Sequence, residues 1–207
     1  MAKLRITYNA PVVLTFTLAA VVVFCLTRLV TPLQHWFEAK PSLDGIQSYV
    51  GLFSHILGHA SWQHLIGNFM LILLIGPILE ERHGSGPLLL MILLTALITG
   101  LANIMFSSAG LMGASGIVFM MILLASMANV RGGEIPLTFI AVATIYLGGE
   151  VINAFRNDNI SQMAHLVGGA AGAMFGFVIA GRKKLPRAGS KPEVAAPVPA
   201  KPIKPAV

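Results

Sequence analysis

The stretch GLMGASGIVFM, Gly110 to Met120, holds one hydroxyl, that of Ser115, among small residues at the head of an apolar run. A second segment, HILGHASWQHLIGN, supplies His55, His59, His64 and Asn68. A third, MAHLVGGAAGAMFGF, supplies His165 followed by Gly168, Gly172 and Gly176. A hydroxyl nucleophile, an imidazole base and side-chain N–H donors are the groups that acyl transfer requires. Each also has a plainer role: serines in membrane helices pack or bond back to the helix, and glycine stripes let helices approach. The chemistry depends on whether the three segments meet.

At 100° per residue, His64 and Asn68 fall about 40° apart on one helix face, with His55 and His59 a separate pair on roughly the opposite side. A zinc site needs converging ligands, and His64 lies about 140° from His59 on a regular helix. There is no HExxH and no CxxC, so neither metal nor cofactor is expected. His55 and His59 read as histidines satisfied by backbone carbonyls near a helix start. The single cysteine, Cys25, lies inside an apolar run, which fits a small buried hydrophobe rather than a thiol nucleophile.

In the third segment, His165, Gly168, Gly172 and Gly176 sit within about 60° on one helix face. The helix that packs on this stripe becomes the candidate partner for the imidazole, and the run from Ser115 is the one proposed.

Composition defines the setting for these residues. With 56% hydrophobic and 11% charged residues, and a mean hydropathy of +0.79, the chain lies outside the range of soluble domains. Apolar runs long enough to cross about 30 Å of hydrocarbon occur at roughly residues 11–31, 60–80, 87–107, 114–130, 135–154 and 163–181. The expected fold is an all-α membrane protein of six transmembrane helices with both termini on one side. Lys3 and Arg5 precede the first run as in a signal peptide, but the run is too long and no cleavage motif follows, so it reads as a retained helix.

Lys3, Arg5, Arg82, Arg131 and the cluster Arg182 to Arg187 fall on one side and Lys40 and Arg156, with Arg28, on the other, which sets the N-terminus and C-terminus inside. The net charge of +6 is therefore read as a topology signal rather than a nucleic-acid-binding surface. The expected organisation is a cytoplasmic N-terminus over 1–10, a membrane domain over 11–184 and a disordered cytoplasmic tail over 185–207, rich in Pro, Ala and Lys. The longest connection, about Thr31 to Ser54, carries Trp36, Phe37, Tyr49 and Phe53 and suits a partly helical segment in the outer interface. In this topology Ser115, His165, His64 and Asn68 share one depth near the outer face.

These residues, in this order over about residues 50–180, resemble the rhomboid family of intramembrane serine proteases. The family's GxSG is matched by Gly113, Ala114, Ser115 and Gly116, its histidine and asparagine in the second helix by His64 and Asn68, and its histidine followed by glycines in the sixth by His165, Gly168 and Gly172. EERHGSG resembles the family's acidic-x-Arg and glycine-rich turn through Glu80, Arg82, Gly84 and Gly86. The aromatic that follows the serine by one turn, commonly tyrosine, is Phe119 here, which keeps a ring to stack on the histidine. The Trp-Arg pair that many bacterial members carry in the first outer loop is absent.

The resemblance implies a peptide-bond hydrolase acting on membrane-anchored proteins within the lipid bilayer. Ser115 would be the nucleophile and His165 its base and then acid, with His64, Asn68 and the Ser115 amide as the oxyanion hole. His59 would be structural, and neither Asp158 nor Glu150 is assigned a role. Substrates would reach the site between the second and fifth spans, with Pro136 starting the fifth and Gly148 and Gly149 loosening its outer end. A catalytically inactive relative that binds membrane proteins would lack the serine or histidine, and both are present. A transporter or proton channel would show inverted repeats or broken helices, and no repeat is visible. A bacterial inner membrane is the expected location, because the chain is a minimal six-span unit with no large soluble domain or transit peptide.

Overall fold

A computed structural model describes residues 7–127, 135, 137–153 and 162–182. The expected N-terminal and C-terminal extensions lie largely outside these residues, as do Pro136, Arg156, Asp158 and the Glu150 side chain. The architecture is all-α: α1 (Pro11–Leu29), α2 (Ile46–Ser54), α3 (Trp62–His83), α4 (Ser85–Phe106), α5 (Ser115–Ser126), α6 (Leu137–Asn153) and α7 (Gln162–Arg182). Among the described residues α1, α3 and α4 are long and apolar enough to cross a membrane, and Ser115–Ser126 and Met163–Val178 are shorter apolar segments. The connection after α1 is partly helical, holding a 3-10 turn at Thr31–Trp36 as well as α2.

The bundle is organised around α5. Every residue from Gly116 to Leu124 is buried, the mark of a helix that is apolar all round and enclosed by others. α3, α4, α6 and α7 all pack against it. The α5–α7 contact is the closest, because a Cβ on Gly168 would fall on the Gly116 carbonyl and one on Gly172 on the Met120 carbonyl. Partner numbers rise together along both helices, so α5 and α7 run parallel with bare backbones in contact. Lower down, Gly176 meets the Met127 side chain.

Helix ends explain the remaining frame. α1 opens on Pro11, whose missing N–H costs nothing at a first helical position. The next amides, of Val12 and Val13, donate to the Glu80 carboxylate at 2.9 and 3.0 Å, and the Ser85 hydroxyl donates to it at 2.7 Å. Glu80 is only 4% exposed, so a buried charge near the end of α3 is neutralised by the positive N-terminus of α1. Gly84, at φ +87°, ends α3 and starts α4 in a single residue, a conformation that favours glycine.

At the opposite end, the connections are tied by backbone pairing. Ala39 and Leu111 exchange two hydrogen bonds of 2.9 Å, and the Asn103 amide donates to the Ala39 and Ala109 carbonyls. The loop leading to Ser115 is thereby fastened to the long connection before α2.

Candidate functional site

Ser115 stands at the first position of α5, after the N-cap Ala114 and two residues beyond Gly113, whose φ of +127° turns the chain towards the helix. The amides of residues 115–117 have no acceptor among the described residues, as expected for the first turn of a helix. Ser115 itself is half-buried, with its side chain at the rim of the packed core.

His165 is 8% exposed and lies one turn before Gly168 on α7. Given the parallel register, Gly168 on Gly116 and Gly172 on Met120, that turn lies beside the head of α5. Phe119, one turn below Ser115, stacks on the His165 ring with centroids 4.5 Å apart and planes 6° from parallel. Phenylalanine suffices for this contact, since a parallel stack uses the ring faces and no hydroxyl.

His64 and Asn68 close the other side of the loop. A Cβ on Gly113 would sit 2.5 Å from His64 Cε1 and 3.6 Å from Asn68 Nδ2, so both side chains wrap the glycine that precedes the serine motif. Ser61 caps α3 by accepting the His64 amide at 3.1 Å, which fixes the phase of the helix that carries both residues.

The helical-wheel placement of His55 and His59 opposite His64 and Asn68 is corrected here. Ser61 starts α3, so His55 caps the end of α2 and His59 lies in the turn between the helices. Freed from the helical phase, His59 packs edge-on to His64 with centroids 5.0 Å apart. Its Nδ1–H donates to the Leu57 carbonyl at 3.2 Å, leaving Nε2 to accept from Asn68 Nδ2 at 3.1 Å and from the Ala114 amide at 3.4 Å. His55 does the parallel task through its backbone, its carbonyl accepting the Gly113 amide at 2.9 Å. The two histidines clamp consecutive amides of the loop before Ser115.

Burial lowers both imidazoles to a pKa of about 4, so they are neutral across the physiological range and available as acceptors. Among the described residues no group of three metal-ligating side chains converges.

The sequence reading passed over Thr99. Its hydroxyl lies 3.3 Å from His55 Nε2, and its methyl would stand 3.0 Å from a Cβ on Gly116, so it links the clamp to the α4–α5 contact. The signal was present: Thr95, Thr99 and Asn103 repeat every four residues as a polar stripe in an otherwise apolar helix.

Apolar helices around a half-buried serine, with histidine and amide side chains gathered about its loop, define an integral membrane protein with a polar site enclosed near one end of its bundle. Residues 47–182 match the family model described as Rhomboid domain, and the chain belongs to the rhomboid family. It is similar to Rhomboid-related protein 1 of Caenorhabditis elegans, 31% identical over 140 residues that cover 61% of this chain and 38% of that protein. The chain thus spans well under half the length of that relative.

Proposed function

We propose that the protein is an intramembrane serine endopeptidase that hydrolyses a peptide bond within or beside the transmembrane segment of membrane-anchored proteins. The observation that carries this reading is the parallel α5–α7 contact: glycine against backbone carbonyl brings the His165 turn, braced on Phe119, beside the helix head that bears Ser115.

In this reading His165 takes the Ser115 proton as the hydroxyl attacks the scissile carbonyl, and returns it to the departing amine. The oxyanion forms against the Ser115 amide, His64 and Asn68, whose second amide hydrogen remains after the first is given to His59. The clamp on Gly113 and Ala114 holds these donors in place before substrate arrives. The same reading takes six membrane-crossing helices over 11–184 with both termini inside, so that the site would lie near the outer face of a bacterial inner membrane. A substrate helix must unwind to expose its carbonyl, so cleavage is expected near Gly, Ala, Ser or Pro.

Reconstitution in liposomes with a single-span fluorogenic substrate tests the reading, comparing wild type with Ser115→Ala and His165→Ala. Cleavage that both substitutions abolish supports the dyad. Failure of wild-type Ser115 to react with a fluorophosphonate probe, in protein that is folded, overturns it.

A further inference from the structure

We propose that the pocket at the N-terminus of α2 binds the headgroup of a zwitterionic aminophospholipid. Lys40, the first α2 amides and Ser48 would take the phosphate, and Asp44 the ammonium. The pocket has a volume of about 250 Å³ and is lined by Lys40 and residues 44–48, outside the catalytic loops.

Four observations converge on it. The amides of Ile46 and Gln47 have no acceptor among the described residues, and Gly45 supplies no side-chain cap, so the positive end of a nine-residue helix is left open. Ser48 is only 3% exposed and lines the pocket, and its hydroxyl makes no hydrogen bond among the described residues, so it is available to a ligand there. Lys40 and Asp44 line the same space without pairing with each other or with any other charged group among the described residues. Asp44 is steadied by the Ser42 hydroxyl, which leaves its second oxygen unused.

A cation and an anion held apart across a polar pocket are complementary to one zwitterion rather than to a lone anion, which Asp44 would repel. The outer face of α2 identifies the source as a lipid. Ile46, Tyr49, Val50 and Phe53 are exposed at helical spacing, with Leu43 just before them, whereas Leu52 packs towards α4. Such a stripe lies among acyl chains at the level of the headgroups. α2 ends at His55, so the bound headgroup sits one short helix, about 13 Å, from the residue that holds the Gly113 amide.

The test is lipid binding by the full chain, read by native mass spectrometry with titrated phosphatidylethanolamine, phosphatidylcholine and phosphatidylglycerol. The readout involves no cleavage, so it succeeds or fails separately from the peptidase reading. Wild type should retain phosphatidylethanolamine at least fivefold better than the other two. Asp44→Asn should erase that preference while leaving phospholipid bound, and Lys40→Gln should weaken all three. Equal retention of the three lipids by wild type, or an unchanged preference in Asp44→Asn, overturns the proposal. Displacement of the lipid by an equal concentration of free O-phosphoethanolamine would instead identify a soluble ligand and overturn the lipid assignment.

Discussion

Gly168→Ala tests the idea that backbone contact sets the position of His165. The added Cβ would overlap the Gly116 carbonyl, and neither backbone can rotate away as a side chain can. Ordinary van der Waals separation requires α7 to withdraw by about 1 Å. The stability cost is that of overpacking, about 1–3 kcal/mol, partly offset by about 1 kcal/mol of helix propensity gained over glycine. Catalysis is far less tolerant, since a displacement of about 1 Å at a reacting group costs on the order of 100-fold in rate. The expected result is a protein that melts within a few degrees of wild type yet cleaves a fluorogenic transmembrane substrate about 100-fold more slowly. Gly67→Ala in α3 is the control, because nothing lies within 4 Å of its added Cβ, and it should match or exceed wild type in both assays. Retention of more than a third of the wild-type rate by Gly168→Ala would falsify the reasoning.

Glu80→Gln keeps the shape of the α1 cap and removes its charge; chemical denaturation in detergent should show a loss of about 2–3 kcal/mol, and wild-type stability would contradict the cap. His59→Leu leaves the Asn68 and Ala114 donors without their acceptor, so fluorophosphonate labelling of Ser115 should slow by at least tenfold, with a stability loss of about 2–4 kcal/mol. Stability should also depend on pH through His55 and His59. Their folded pKa of about 4 lies below the unfolded value of 6.5, so the unfolded chain binds more protons between these limits. Their contribution is therefore complete above pH 6.5 and is lost as pH falls towards 4, each group adding a slope of up to about 1.4 kcal/mol per pH unit. Melting curves that stay flat from pH 7 to 4.5 would remove this assignment.

Much of the candidate site was legible because its parts repeat locally. The His165, Gly168, Gly172 and Gly176 stripe is a statement about one helix face, and a face of bare backbone can meet its neighbour only closely. Ser115 was legible as a hydroxyl among small residues at the head of an apolar run. His59 was misplaced because a helical wheel assumes an unbroken helix, and the Ser61 cap breaks it two residues later. The bonds from His55 and His59 to the serine loop, and the Ala39–Leu111 pairing, join segments distant in sequence. Nothing in local periodicity specifies such partners. Glu80 shows the intermediate case: its motif was visible, but the amides it caps lie 68 and 67 residues away.

That cap also orders events during biogenesis. Val12 and Val13 leave the ribosome well before Glu80 has been translated, so α1 reaches the bilayer with its leading amides open and must keep them among water or headgroups. Only when α3 has been inserted does a carboxylate arrive to replace that solvation. The first helix is finished by the third, and its final seating belongs to assembly of the bundle rather than to insertion.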